Sequence, residues 1–188
     1  LGVSYFSTVT AYMLDKMADP ELVFRHRPSS QSRYGGGLVT FNQQGLRDRP
    51  IEDKAAGEYR ILALGDSVTF GWGVAQDEIF VALLEPLLGA RLGRPVRAIN
   101  AGVGSYNTVQ EDAYVRRDGL ALRPDLVVLT YLENDVEVNE GPYDPWSEVA
   151  VAGKPPLAAA LVLLRKSRLY QLADHAYRRL QPAAPMAT

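Results

Sequence analysis

The segment at residues 60–67 constrains the fold more than any other part of the chain. It begins with a short apolar run, Arg60-Ile61-Leu62-Ala63-Leu64, which predicts a buried strand. The chain then turns sharply through Gly65-Asp66-Ser67 and leaves a serine hydroxyl at the carboxyl end of that strand. Because open α/β sheets place their ligand sites at this end of the strands, Ser67 is a candidate nucleophile. A serine in this role needs a second group to activate it.

Two further apolar runs predict two more strands, at residues 96–99 and 126–132. The second run is almost continuous, which is typical of a strand covered on both faces. Helical segments are predicted between the strands, so the order of elements is β-α-β-α-β. This order predicts an α/β fold with a parallel sheet and right-handed crossovers.

The two predicted helices have recognisable ends. Asp77 is expected to cap a helix that runs to about Leu92, and Pro86 is expected to kink or break it. The run Thr108-Val109-Gln110-Glu111 has capping-box spacing and predicts a second helix that ends near Arg117.

Each of the three predicted strands is followed by a polar cluster. Gly65-Asp66-Ser67 follows the first, a glycine-rich turn at residues 100–108 follows the second, and Glu133-Asn134-Asp135 follows the third. Because the carboxyl ends of parallel strands share one edge of the sheet, we expect the clusters to meet there. The glycine-rich turn opens a helix, and the free backbone N–H groups at such a position favour an anion.

Acyl transfer needs a nucleophile and hydrogen-bond donors that meet the oxyanion formed on attack. The candidate donors are the Ser67 N–H, a backbone N–H near Gly104-Ser105 and the side-chain amide of Asn134. Ser67, Ser105 and Asn134 are therefore the predicted catalytic residues. Asp66, Gly104 and Glu133 are predicted to line the substrate site, and Asp66 is also expected to hold its turn by hydrogen bonds.

Together these clusters resemble the sequence blocks of the SGNH hydrolase superfamily, also called GDSL-type esterases and lipases. The resemblance spans roughly residues 59–136 and rests on Gly65-Asp66-Ser67 with Thr69, Gly71 and Gly73, on Asn100, Gly102 and Tyr106, and on Asn134-Asp135. It implies a flavodoxin-like three-layer sheet in the order 2-1-3-4-5. It also implies hydrolysis of esters, often of acyl or acetyl groups on lipids or carbohydrates, with Ser67 as nucleophile and Asn134 as an oxyanion donor.

The chain departs from this family pattern in four ways. Ser105 and Leu132 stand where the family usually has glycine, although a backbone N–H survives the first change. The Asp-x-x-His block that supplies the base and its orienting acid is missing, because Leu172 stands three residues before His175. No apolar strand-like run follows Asn134, so the sheet is predicted to be incomplete.

Two functions stay open on the sequence alone. In the first, the chain is part of an ester hydrolase whose Asp-x-x-His follows Thr188. In the second, it is a catalytically inactive subunit of the same fold with a binding or assembly role, for example in a membrane complex. A three-stranded sheet leaves its third strand as an apolar edge, and a partner chain that covers this strand favours the second function.

The chain is expected to consist of an N-terminal extension at residues 1–58, an α/β core at residues 59–139, and a loop with a C-terminal helical segment at residues 140–188. The extension is predicted to be helical over residues 1–20 and irregular afterwards, apart from one strand at residues 38–41.

The extension also carries the signals for location. Leu1–Leu14 has no charged residue and is either the end of a membrane anchor or a surface helix. The stretch Phe41–Arg47 resembles the SGNH subgroup that has an N-terminal membrane anchor and an extracytoplasmic catalytic domain. The resemblance therefore implies an extracytoplasmic, membrane-associated protein.

Composition excludes several other functions. The net charge is −2, which gives no reason to expect nucleic acid as a partner. There is no cysteine, and the two histidines, His26 and His175, are far apart and expected at the surface, so neither a metal site nor a cofactor is predicted. The expected ligand is an ester of a small molecule, a carbohydrate or a lipid.

Overall fold

The structure, a computed structural model, describes residues 13–34, 37–132 and 142, and these contain seven strands and three α-helices. They all belong to one unit of the chain, Leu1–Asp144. The predicted helical segment at residues 140–188 and the acidic cluster Glu133-Asn134-Asp135 lie outside the described residues. The boundaries predicted between extension, core and C-terminal segment stay predictions.

The extension forms two antiparallel hairpins. Strand β1 (Leu14–Lys16) pairs with β2 (Phe24–His26), and β3 (Gln31–Tyr34) pairs with β4 (Gly37–Thr40). The predicted strand at residues 38–41 is thus confirmed, whereas the helix predicted over residues 1–20 is wrong at residues 14–16. Asp19 accounts for the difference, because its carboxylate accepts the backbone N–H groups of Glu21 (2.9 Å) and Leu22 (3.0 Å) and so builds a hairpin turn.

The core is a three-stranded parallel sheet. Its central strand is β5 (Tyr59–Gly65), with β6 (Val96–Asn100) on one side and β7 (Leu126–Thr130) on the other. The order β6-β5-β7 is the order 2-1-3 that the resemblance implies, so the predicted α/β fold with a parallel sheet is confirmed. Every residue of β5 after Tyr59 is buried, and the turn into Ser67 therefore leaves a strand that is held on both sides.

Three helices accompany the sheet. Helix α1 (Ser67–Phe70) is a single turn directly after β5, α2 (Phe80–Leu92) leads towards β6, and α3 (Thr108–Tyr114) follows the glycine-rich turn. After α3 the chain continues through a π-helical turn, Val115–Gly119, and a 3-10 turn, Leu120–Leu122.

Both predicted helix starts are displaced. Helix α2 begins after Ile79, not at Asp77, and it runs through the exposed Pro86 without ending, since solvent can satisfy the carbonyl that a proline leaves free. The capping box of α3 is formed by Asn107 and Gln110, one residue before the predicted pair. Tertiary contact favours this register, because the Gln110 amide also donates to the backbone carbonyl of Leu22 in the extension (2.9 Å).

Strand β7 is the exposed edge of the described sheet. Its residues Leu126, Val127 and Leu129 are 41–45% exposed, so the prediction of a strand covered on both faces is wrong for the part of the chain that the structure describes. Within residues 13–34 and 37–132, no helix has both the length and the apolar character needed to cross a membrane. The same residues bring no three acidic, histidine or cysteine side chains together as a metal site.

Candidate active site

The first turn of the site is fixed by Gly65. Its φ of 149° belongs to backbone that side chains other than glycine rarely adopt. A Cβ at this position would lie 2.2 Å from Thr69 Oγ1 and 3.0 Å from the carbonyl oxygen of Thr130. Glycine therefore allows the end of β5 to approach both α1 and the end of β7.

Asp66 holds Ser67 at the start of α1. The Asp66 side chain caps the helix, with Oδ1 accepting the Val68 N–H at 3.0 Å, while Oδ2 lies 3.4 Å from Ser67 Oγ and accepts its hydroxyl. Asp66 is buried and Ser67 is half-buried. The Asp66 carboxylate thus orients the Ser67 hydroxyl and holds the turn, as expected, and its predicted place in the substrate site stays a prediction.

The second turn packs directly against α1. The Val103 N–H donates to the Gly65 carbonyl at 3.0 Å, which continues the pairing of β5 and β6 beyond their ends. Gly102 allows the close approach, because a Cβ there would lie 2.2 Å from the Phe70 nitrogen. The Asn100 side chain accepts the Gly102 N–H at 3.0 Å and fixes the turn from within. The structure therefore brings the first two predicted clusters together.

Ser105 adopts the conformation of the glycine it replaces. Its φ is 71°, in the left-handed region that favours glycine, and the residue is half-buried. The backbone N–H of Ser105 stays available to the turn in this conformation, and the alignment of Ser105 to a family glycine stays a prediction. Gly104 is held by no such constraint, since a Cβ there would touch nothing within 4 Å. Their roles in oxyanion and substrate binding stay predictions.

The end of β7 lies beside the first turn of the site. In the parallel register Thr130 pairs with Gly65, so the chain leaves β7 beside the first turn. Glu133 and Asn134 themselves lie outside the described residues, and the expected convergence of the Asn134 amide with Ser67 stays a prediction.

Sequence reasoning missed two residues of the extension that reach this edge. Arg47 is fully buried and donates to backbone carbonyls in the loop that follows α1. Asp48 pairs with Arg97 (2.9 Å) and accepts the backbone N–H of Asn100 (2.9 Å), so it supports the second turn. The sequence signal for them is the stretch Phe41–Arg47, whose resemblance to a family subgroup gave no role to either side chain.

His26 is buried, so its predicted surface position is wrong. Its ring stacks on Phe41 (centroids 4.6 Å apart) and packs against Phe70 (5.0 Å). Burial lowers the pKa of His26 to about 3; the Gly45 backbone hydrogen bond raises the pKa in part, and the charge of Arg47 lowers it further. A neutral ring enclosed by aromatic side chains is unsuited to take a proton from Ser67. His175 lies outside the described residues.

A comparison with known protein families agrees with this geometry. The sequence model of the GDSL-like Lipase/Acylhydrolase family matches residues 63–186, which is well over half of the chain. The match begins within β5, three residues before Asp66, and includes both turns described above. A search of curated proteins finds no match to the chain. Since the family match extends over most of the chain, this protein belongs to the GDSL-like Lipase/Acylhydrolase family.

Proposed function

We propose that this chain is a serine ester hydrolase that removes acyl or acetyl groups, with Ser67 as its nucleophile. The observation that carries the proposal is the position of Ser67. It starts a one-turn helix at the carboxyl end of the central parallel strand, its hydroxyl is oriented by Asp66, and the second turn packs alongside. Membership of a hydrolase family supports the same reading.

In the proposed reaction, Ser67 Oγ attacks the ester carbonyl carbon and loses its proton to a base. The oxyanion receives hydrogen bonds from the backbone N–H groups of Ser67 and Ser105 and from the amide of Asn134. The alcohol then leaves with the proton, and an acyl-serine remains. Water adds to this acyl group, the carboxylic acid is released, and the serine hydroxyl is restored.

The proposed reaction needs a base that takes the proton of Ser67. His26 is the single histidine among the described residues, and its burial between Phe41 and Phe70 argues against that role. The chain has one other histidine, His175, which directly follows Asp174. A His175→Ala variant therefore belongs in the test, and loss of activity in it would identify the base within this chain.

The test is Ser67→Ala in the full chain, assayed with nitrophenyl acetate and with a fluorophosphonate that labels activated serines. We expect the variant to lose activity by about 10⁴-fold and to lose the label, because the nucleophile is removed. Ser32→Ala, in β3 of the extension, is the matched control and should keep both.

A wild-type protein that carries an Asp-x-x-His after Thr188 and still neither hydrolyses esters nor takes the label would contradict the proposal. That result would favour the alternative function, a non-catalytic subunit with a binding or assembly role. The exposed apolar residues of β7 offer such a partner an edge to pair with. From the resemblance of Phe41–Arg47 we also propose that the protein is extracytoplasmic and membrane-associated.

A further inference from the structure

Arg47 makes an unusual set of contacts for a buried cation. Its side chain is 2% exposed, and its guanidinium donates to the carbonyl oxygens of Phe70 (3.2 Å), Gly71 and Val74 (2.7 Å). Nε donates to the Gln76 side chain at 3.1 Å. The guanidinium carbon also lies 5.1 Å from the centre of the Phe70 ring. All these partners lie within residues 70–76, a segment that begins at the last residue of α1.

Among the described residues, the charge of Arg47 faces carbonyl and amide oxygens and the Phe70 ring. No carboxylate of the described residues pairs with it, although other arginines such as Arg97 and Arg60 each bind at least one. A buried charge is costly unless every donor finds an acceptor. The carbonyls of residues 70–74 must therefore be held in a fixed arrangement around the guanidinium, and the guanidinium holds them in return.

Helix α1 needs such support. It contains four residues, and one turn of helix is not stable by itself because nucleation fixes several dihedral angles for a single hydrogen bond. Asp66 caps its amino end, next to Ser67. At its carboxyl end the carbonyls of Phe70 and Gly71 accept hydrogen bonds from the Arg47 guanidinium, and a cation at this end of a helix is favourable.

We propose that Arg47 is a positioning residue for Ser67. It holds α1 from the carboxyl end while Asp66 holds it from the amino end, and so fixes the nucleophile against the second turn. This inference rests on the proposed function. It also makes the extension part of the site, since Arg47 lies outside the family match at residues 63–186.

The geometry calls for arginine. Three carbonyls and one amide oxygen surround a planar fork of donors, whereas a lysine ammonium is a compact point charge at the end of a flexible stem. Glycine at position 71 leaves room for the guanidinium, because its φ is 86° and a Cβ there would lie 3.2 Å from an Arg47 terminal nitrogen. We therefore expect Arg47→Lys to keep the charge and lose the arrangement.

Arg60 provides a matched control. It is also buried (side chain 4% exposed) and also donates to two backbone carbonyls, those of Leu122 (3.0 Å) and Glu52 (3.0 Å). It lies near the amino end of β5, at the opposite end of the strand from Ser67. Arg60→Met removes a buried carbonyl-binding arginine without touching the nucleophile turn.

The experiment compares Arg47→Met, Arg47→Lys and Arg60→Met in the full chain carrying Trp146→Phe, so that Trp72 is the single tryptophan. Measurements are hydrogen exchange of the backbone amides of residues 68–76, acrylamide quenching of Trp72, the rate of Ser67 labelling by a fluorophosphonate, and kcat and KM for nitrophenyl acetate. All are made at temperatures where each variant is folded. If Arg47→Met does not fold, the same measurements on Arg47→Lys test the inference.

We expect both Arg47 variants to lose protection of these amides by about tenfold and to increase the quenching of Trp72. Ser67 labelling and kcat should fall by roughly 10- to 100-fold, because a small displacement of a nucleophile has this effect, with KM changed by less than about threefold. Arg60→Met should lower the unfolding temperature and leave all these local measurements near wild type.

Unchanged exchange, quenching and labelling in the Arg47 variants would overturn the inference, as would equal changes in Arg60→Met. The proposed function fails separately, if Ser67→Ala keeps wild-type activity. In that case exchange and quenching still report whether Arg47 holds α1, so the two failures are distinguishable.

Discussion

The extension and the α/β core contribute to the site in opposite ways. In the core, backbone geometry dominates: glycines at positions 65 and 102 allow segments to touch, and the parallel register brings two turns to one edge. In the extension, hydrogen bonds from side chains to distant backbone groups dominate. Arg47 reaches the loop after α1, and Asp48 reaches the turn after β6. The family match spans the first contribution and omits the second.

This difference shows that the family match omits side chains that support the turns around Ser67. The core can present Ser67 and its neighbours only because residues outside that match satisfy the charges and carbonyls beneath them. Substitutions in the core should therefore act through steric conflict, and substitutions in the extension through unpaired polar groups. The two classes differ in size and in their response to pH.

The largest effect is expected from Gly102→Ala in the core. Its new Cβ would lie 2.2 Å from the Phe70 nitrogen and 2.5 Å from the Thr69 carbonyl carbon, and backbone atoms cannot move aside as side chains do. We expect the free energy of unfolding to fall by at least about 3 kcal/mol, measured by urea denaturation. Gly104→Ala is the control two residues away and should change it by less than about 1 kcal/mol, since its Cβ meets nothing. Equal effects would mean that the two turns are not in close contact.

The core was predictable because its signals are local. Apolar runs located β5, β6 and β7 within two residues, and the β-α-β-α-β order gave the parallel arrangement. Glycine-rich clusters after the strands located the first two turns of the site. The apolar runs could not show which faces of each strand other elements would cover. Among the described residues, β7 is an exposed edge strand.

The next effect in size is expected from Asp48→Asn in the extension. One Asp48 oxygen accepts from Arg97 and from the Arg49 N–H, and the other accepts from the Asn100 N–H, so all three partners are donors. An asparagine amide would present its own N–H groups to one of them. We expect a loss of about 2–3 kcal/mol in the free energy of unfolding. Asp15→Asn breaks an ion pair with Arg27 whose partners are 37% and 49% exposed, and it should cost less than about 0.5 kcal/mol. If both variants lose the same free energy of unfolding, the extension packs against the core without a larger contribution from the Asp48 hydrogen bonds.

The extension was not predictable in the same way because its contacts join residues far apart in sequence. Arg47 contacts residues 70–76, and Asp48 contacts Asn100. Neither partner is visible in a local pattern. His26 shows the same difficulty, since its charged neighbours Arg25 and Arg27 indicated a surface position. In β2, however, alternate residues face opposite sides, and this places Phe24 and His26 inside while both arginines stay exposed.

The smallest effect, and one that appears only below neutral pH, is expected from His26. Its folded pKa of about 3 lies below the ordinary 6.5, because burial against Phe41 and Phe70 disfavours the charged ring and Arg47 adds a like charge. Between these two values the unfolded chain binds a proton that the folded chain does not, so the stability contributed by the neutral ring is complete above pH 6.5 and is lost as the pH falls towards 3.

We therefore expect the free energy of unfolding of the wild type to fall by about 2 kcal/mol more than that of His26→Phe between pH 7 and pH 5, as measured by urea denaturation at both pH values. A phenyl ring keeps the aromatic contacts of this site, and although it loses the hydrogen bond to the Gly45 backbone, that loss is the same at both pH values. Other titrating groups contribute equally to both proteins, and the difference isolates His26. Parallel pH profiles would show that this histidine titrates normally, and the extension would then not bury its polar side chains as tightly as Arg47 and Asp48 indicate. An NMR titration gives an independent measure, because the His26 ring protons should keep their chemical shifts down to about pH 4.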